Sequence, residues 1–405
     1  MKNCGIDIIE IQRIKDAVLK NDGFLSRVFT DYEISYYTEN GCRIETLAGF
    51  FAAKEAFSKY LGTGISGFNL KDISVSHTPK GMPYIIFKGE KTDAALSISH
   101  NRTTAVAVVC GNEMQSALNP LKEDMSRLLP KRKADSNKGD FGKALVVAGS
   151  KGMTGAAVLS AYSLLRSGSG LVTLAVPDSQ RAIAAGFYPE LMTVGLPEKD
   201  GIISRSAMGK ILKLIQGKDV VVFGPGLGKG GDITLILEEL LSNYHGKLLI
   251  DADGLNALGK NINILDKKNC QVVITPHPGE MSRLTDVGVD EIQKNRAKTA
   301  QEFADKFDVT VVLKGSDTIV AQSGKEIFVN PTGNPGMATA GTGDVLSGVV
   351  SAFLGQGMDT FDAARLGVYI HGLAGDIAKE ALGEYGMIAS DVANNIPKAI
   401  LSLQK

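Results

Sequence analysis

With 405 residues the chain exceeds what one hydrophobic core usually serves, and 44% hydrophobic with 22% charged residues is ordinary for a globular protein. Its 44 basic residues balance its 44 acidic ones, which excludes bulk attraction to nucleic acid or to an anionic membrane surface and leaves only local patches. Cys4, Cys42, Cys110 and Cys270 form no CxxC pair and read as reduced thiols, Asp7, Glu10 and Arg13 do not suit a signal peptide, and no apolar run approaches the ~20 residues that span a bilayer, so a cytoplasmic protein is expected.

The first element, "CGIDIIEIQRI", places Asp7 inside an apolar strand, where an acid must be paired, hydrated or bound to metal. "IQRIKDAVLK" follows with Arg13, Lys15 and Lys20 near one helix face, either a solvated surface or a docking stripe for an acidic protein. "LAGFFAAKEAFSKYLGTGI" predicts a strong helix carrying Lys54 and Glu55, with Leu47, Phe50, Phe51, Phe57 and Leu61 on its buried face. Asp7 and Glu55 from separate elements could hold Mg²⁺, with phosphate oxygens and waters completing an octahedron, or could serve a structural salt bridge. "ALSISHNRTTAVAVVCG" then predicts a hairpin with His100 at its turn.

Residues 112–142 are polar, charged and broken by Pro120, Pro130 and Gly139, which marks a linker. The predicted domains are 1–118 and 119–405. Beyond the linker, short apolar runs recur in "KALVVAGS", "DVVVFGPGLG", "KLLIDADG", "QVVITPHPGE" and "VTVVLKGSDT", separated by helix-length segments. Apolar runs without alternation suit strands buried on both faces, hence a mostly parallel sheet flanked by helices. Ligands of such sheets bind beyond the carboxyl ends of the strands, where the polar tails of these runs would converge. "AGTGD" precedes a proline-free helix, so Gly341 and Gly343 would free the backbone while the helix N-terminus offers unpaired N–H groups to an anion. Asp344 is there either a helix-start stabiliser or a general base.

From about residue 125 onward, "KGDFGKALVVAGSKGMTGAAVLSA", "GSGLVTLAVP", "FGPGLG", "IDADGLNAL", "TPHPGEMSRL", "LKGSDT" and "NPGMATAGTGDVLSG" together resemble the ADP/ATP-dependent NAD(P)H-hydrate dehydratases, which have a ribokinase-like fold. The resemblance implies an adenylate site of Lys314, Gly315, Ser316, Asp317, Thr318 and Gly343, with ADP or ATP as phosphoryl donor. It implies contacts from Ala156, Gly228, His277 and Asp344 to NAD(P)H hydrate, with Asp344 catalytic. Asn137 stands where that family commonly has His, and Asp251 and Asp253 carry no assigned role. A small-molecule kinase, or a nucleotide-binding module without turnover, is the alternative for this half.

In the first half, "GIDIIEI", "FAAKEAFSKYLGTGI", "GMPYI" and "LSISHNRTTAVAVV" resemble holo-acyl-carrier-protein synthase, a 4′-phosphopantetheinyl transferase of α+β fold. That resemblance implies Mg²⁺ on Asp7 and Glu55 and coenzyme A held by Lys54, Gly62, Gly64 and His100. It further implies acyl carrier protein as partner and a trimer-based homo-oligomer. Phe50 and Ser35 depart from that family's arginine and acid.

Overall fold

The computed structural model describes residues 2–20, 23–61, 69–112 and 120–404. The chain divides into two compact units, Met1–Pro120 and Leu121–Lys405. Among the described residues no helix is long and apolar enough to cross a membrane.

The first unit is α+β. Strands β1 (Lys2–Glu10), β2 (Ile73–His77), β3 (Pro83–Phe87), β4 (Glu90–His100) and β5 (Thr104–Asn112) form an antiparallel sheet of order β1-β5-β4-β3-β2. Helices α1 (Ile11–Lys20), α2 (Asp31–Glu39) and α3 (Ile44–Tyr60) accompany it, α3 packing on β1 and β5. The buried face of α3 carries Ala48, Ala52, Ala53 and Ala56, small enough for a close approach. At Gly5 that approach is extreme: a Cβ there would lie 2.0 Å from the Ala56 carbonyl oxygen, so only glycine lets the helix sit directly on β1. This seats the face of α3 that bears Glu55 beside the strand that bears Asp7. Alternation along β1 turns Gly5 and Ile9 inward and leaves Ile6 and Ile8 exposed on the other side.

The expectation of four reduced thiols needs correction. The β1–β5 register sets Cys4 directly opposite Cys110, with Cα atoms 4.3 Å apart, and the two are joined as a disulfide. Their separation of 106 residues hid this pairing from spacing rules. Cys42 and Cys270 are free.

The second unit is built on a sheet of order β16-β15-β14-β13-β12-β11-β6-β7-β8. Strands β6 (Lys143–Val147), β7 (Leu171–Pro177) and β8 (Met192–Leu196) lie to one side of the chain reversal. After a small hairpin of β9 (Glu198–Lys199) and β10 (Ile202–Ile203), strands β11 (Val220–Phe223), β12 (Lys247–Ile250), β13 (Gln271–Ile274) and β14 (Thr310–Leu313) lie to the other. All of these sheet neighbours pair in parallel; β15 (Ile319–Ala321) and β16 (Phe328–Val329) close one edge antiparallel. The central strands are buried on both faces, as their apolar runs require.

Helices cover both faces. Helices α4 (Thr154–Arg166), α8 (Thr342–Gly355), α9 (Thr360–Leu382) and α10 (Ala389–Leu403) contribute to one core cluster. Helices α5 (Gly231–Asn243), α6 (Asp253–Gly259) and α7 (Pro278–Thr285) contribute to the other. Register aligns Val147, Phe223, Ile250 and Ile274 at the carboxyl ends of β6, β11, β12 and β13. The loops after these strands therefore emerge at one edge. The order reverses between β6 and β11, the place where open parallel sheets bind ligands, and the two loops there are tied by Gly149 N–H donating to the Pro225 carbonyl at 2.8 Å.

Candidate active sites

At the carboxyl edge of the large sheet, four loops bring a lysine into a group of acids. Lys314 follows β14, and its Nζ donates to Asp251 Oδ1, just beyond β12, at 2.8 Å. It lies 3.6 Å from Glu280 Oε2 on α7. The second oxygen of Asp251 accepts from Ser347 Oγ on α8 at 2.5 Å, so one buried carboxylate ties β12, β14 and α8 together. Burial alone would lower the Lys314 ammonium, but Asp251, Glu280 and Asp344 raise it, and it stays charged.

Asp344 lies in the first turn of α8. The helix N-cap is Gly341, and Asp344 stands as a first-turn acid, a position that also favours the helix start. Its carboxyl is pushed up to about 7, first by burial, then by the negative charge of Asp251, with Asp253 and Glu280 adding and Lys314 opposing. An acid poised near neutrality beside a fixed cation is fitted to exchange a proton.

The "DAD" turn is what separates the two acids that carried no assigned role. Ala252 adopts φ +49, a conformation rarely taken by a residue with a side chain. The kink sends Asp251 to Lys314 and Ser347, and Asp253 to the Gly228 N–H, which its Oδ2 accepts at 2.8 Å. Gly224 lets this turn approach β11, since a Cβ there would lie 1.8 Å from the Asp251 carbonyl oxygen. Ala156, in the first turn of α4, touches the same "GPGLG" loop: its Cβ is 3.1 Å from where a Gly226 Cβ would stand.

His277 caps α7. Its Nδ1 accepts from the N–H groups of Gly279 and Glu280 at 3.0 and 3.3 Å, which places the ring proton on Nε2, half-exposed and 3.5 Å from Glu280 Oε1. Burial, helped by Lys314 and Arg283, lowers its basicity, so the ring is neutral at pH 7. Next to this cluster a cavity of about 570 Å³ is lined by Lys314, Gly315, Ser316, Asp317, Thr318 and Gly343, the six residues singled out for an adenylate. Sequence reasoning missed His371 on its wall, which is neutral because burial lowers it to about 4, and whose Nε2 lies 3.0 Å from the Thr342 carbonyl. A larger groove of about 890 Å³ opens at the opposite, amino-terminal edge of the sheet. Its Lys218 donates to Thr173 and its Lys247 to the Leu354 and Met358 carbonyls, so these cations already have partners.

In the first unit the structure brings Asp7 and Glu55 together. The Glu55 carboxyl is raised by burial and by the Asp7 charge, against Lys59. Asp7 Oδ1 accepts from Lys59 Nζ at 2.9 Å. Lys54 is elsewhere, and its expected place on a coenzyme A phosphate is corrected. It is fully buried, paired with Glu33 Oε2 at 2.8 Å, and donates to the carbonyls of Leu70 and Ile73. All three ammonium hydrogens are taken. The reason is helical: neighbours i and i+1 point about 100° apart, whereas i and i+4 share a face. The exposed cation on the Glu55 face is therefore Lys59, legible in "KEAFSK" but overlooked.

Phe50 is buried against Tyr36, with ring centroids 5.7 Å apart, and Ser35 is exposed on α2. His100 is exposed at the hairpin end of β4, and the pairing of Asp7 with Ala107 and of Ala107 with Ile98 puts it on the sheet face of Asp7. Two strand spacings and two residues separate them, roughly 12 Å. Gly62 and Gly64 lie outside the described residues. Among the described residues no group of three or more His, Cys, Asp or Glu side chains could hold a metal by itself. Asp7 and Glu55 fit a Mg²⁺ ion, which commonly takes one or two carboxylates and completes its shell with phosphate and water oxygens.

Comparison with known proteins follows this division. Residues 144–398 match the family model described as NAD(P)H-hydrate dehydratase, and residues 3–110 that of the 4′-phosphopantetheinyl transferase superfamily. A bifunctional NAD(P)H-hydrate repair enzyme of Moorella thermoacetica is 41% identical over 278 residues, covering 68% of this chain and 52% of that protein. The ADP-dependent (S)-NAD(P)H-hydrate dehydratase of Neisseria meningitidis is 38% identical over 268 residues, 65% of this chain and 86% of its own. The crystal structure of the ADP/ATP-dependent NAD(P)H-hydrate dehydratase from Bacillus subtilis, co-crystallised with ATP/Mg²⁺, is 30% identical with a TM-score of 0.61, covering 70% of this chain and 97% of its own. The chain spans about half the length of the bifunctional repair enzymes it matches. The second unit has the ribokinase-like fold of these dehydratases.

Proposed function

The chain belongs to the NAD(P)H-hydrate dehydratase family through residues 144–398, and on that premise we propose that its second unit restores NAD(P)H from its hydrate at the expense of ADP or ATP. The observation that carries the reading is Asp344, held near neutrality among Lys314 and neighbouring acids and next in sequence to Gly343, which with residues 314–318 lines the cavity. The adenylate occupies that cavity, with its terminal phosphate toward Gly343 and the start of α8. The hydrate lies across the switch point, against Ala156, Gly228 and His277.

Asp344 takes the proton from the ring hydroxyl as its oxygen bonds to the terminal phosphorus, and the bond from that phosphorus to the remaining nucleotide breaks. Lys314, held by Asp251, offsets the charge that moves onto the phosphoryl oxygens. The carbon–oxygen bond then breaks, phosphate leaves with the electron pair, and loss of a ring proton restores the double bond of the dihydronicotinamide. The test incubates the full chain with NADH hydrate and ADP or ATP. Return of dihydronicotinamide absorbance with equimolar phosphate release is expected; a stable phosphorylated product would mean a kinase.

For the first unit we infer transfer of 4′-phosphopantetheine from coenzyme A to a serine of acyl carrier protein. The match to the transferase superfamily and the convergence of Asp7, Glu55 and Lys59 support it. Bound Mg²⁺ would neutralise the coenzyme A pyrophosphate. Asp7 and Glu55 would hold it, and Lys59 would face the phosphate. Exposed Arg13, Lys15 and Lys20 suit docking of an acidic carrier, and exposed Ile6 and Ile8 suit burial in a homo-oligomer, of which a trimer is our reading. Apo-acyl carrier protein incubated with coenzyme A, Mg²⁺ and the chain should gain the mass of one phosphopantetheine; no gain would rule the activity out.

A further inference from the structure

Beside the hydrate loop lies a second cavity that neither the adenylate nor the reacting ring accounts for. It has a volume of about 540 Å³ and is lined by Gly228, Asp253 and Asn256 together with three cations, Lys229, Lys260 and Arg283. Asp286 lines it too, so the cations outnumber the acids three to two. Among the described residues none of the three cations is held in an ion pair, whereas Asp253 is engaged with the Gly228 N–H and with Asn256.

A chain of hydrogen bonds links this cavity to the reaction site. Arg283 Nε donates to Asn256 Oδ1 at 3.0 Å, Asn256 Nδ2 donates to Asp253 Oδ1 at 3.2 Å, and Asp253 Oδ2 accepts from the Gly228 N–H at 2.8 Å. Arg283 is thus oriented through Nε, which leaves the two terminal nitrogens of its planar guanidinium free for a bidentate contact to two oxygens of an anion. Asp253 belongs both to this chain and to the charges that set the Asp344 carboxyl. The cavity therefore begins where the reacting end of a dinucleotide would stop.

We propose that Arg283, with Lys229 and Lys260, forms the subsite for a phosphoryl group of the hydrate dinucleotide, either its pyrophosphate or the 2′-phosphate that distinguishes the NADP form. The inference rests on the dehydratase reading above for the identity of the dinucleotide. A bidentate guanidinium–phosphate contact is worth roughly ten- to a hundredfold in affinity, and a lysine keeps the charge but loses the fork.

The experiment titrates the full chain, saturated with AMP, with inorganic pyrophosphate and with 2′,5′-ADP by calorimetry. It compares the native chain with Arg283→Ala, Arg283→Lys and Lys260→Ala, and measures KM for NADH hydrate and NADPH hydrate in parallel. We expect Arg283→Ala to weaken probe binding at least tenfold, Arg283→Lys to weaken it less, and the kinetic loss to fall on KM. Loss confined to 2′,5′-ADP and NADPH hydrate assigns the 2′-phosphate; loss with pyrophosphate and both hydrates assigns the pyrophosphate. A native chain that binds neither probe, or an alanine variant that binds both as the native chain does, overturns the subsite. Absence of hydrate turnover by the native chain would instead sink the dehydratase reading while the probe titrations still decide whether the anion site exists.

Discussion

Asp344→Asn should damage activity and stabilise the fold at the same time. The folded carboxyl is pushed up to about 7 from an ordinary 3.8. For an acid raised in this way, folding gains nothing from the shift once ionisation is forced: stability is fully present below about pH 4 and is lost as pH rises to 7. About three pH units at ~1.4 kcal/mol each make the ionised side chain cost the fold about 4 kcal/mol at pH 8. Against this, an acid in the first turn of α8 gains only ~0.5 kcal/mol from the helix dipole, so burial and the neighbouring carboxylates dominate. Asparagine removes the ionisation and keeps the shape. At ~2 °C per kcal/mol for a unit of this size, the variant should melt about 8 °C above the native chain at pH 8 and about 3 °C above it at pH 5. Hydrate turnover should fall roughly 10²–10⁴-fold, the worth of a positioned base. Differential scanning calorimetry from pH 5 to 8, with turnover assayed on the same samples, checks both halves. Near-normal turnover, or a melting difference that does not grow with pH, would refute the reasoning.

Other substitutions test the first unit. Lys54→Met leaves Glu33 as an unpaired buried carboxylate and should cost ~3–5 kcal/mol in urea melts, whereas Lys59→Met should barely alter melting yet abolish pantetheinyl transfer. If the two variants exchange these phenotypes, the helical-face argument is wrong. Glu55→Gln should eliminate carrier modification by mass spectrometry while hydrate repair continues; equal loss of both activities would make Glu55 structural. Gly5→Ala forces a methyl into the Ala56 carbonyl and should destabilise the first unit by ~1–3 kcal/mol in chemical denaturation, with transfer lost as α3 is displaced from β1. Native-like stability there would mean the helix does not sit as closely as described.

The sequence by itself determined the elements whose cause is local. Runs such as "DVVVF" and "KLLI" are short and have no polar alternation, so they suit strands covered on both faces, and parallel pairing then carries their polar tails to one edge. Residues 314–318 are one such tail, and the family resemblance, not the run itself, marked them for an adenylate. The face shared by Glu55 and Lys59 was equally legible from a spacing of four, whereas the family resemblance implied Lys54. Tertiary structure alone decided the rest, because charge and proximity between distant residues leave no local pattern. Lys54 is withdrawn from the surface by Glu33 on another helix. Cys4 meets Cys110 only through strand register. Asp251 sits 63 residues before Lys314 and 96 before Ser347, yet it fixes the first as a cation and anchors the helix of Asp344 through the second. An aspartate titrates near neutrality only when the fold removes its water and sets other acids around it, and neither event is written in the residues beside it.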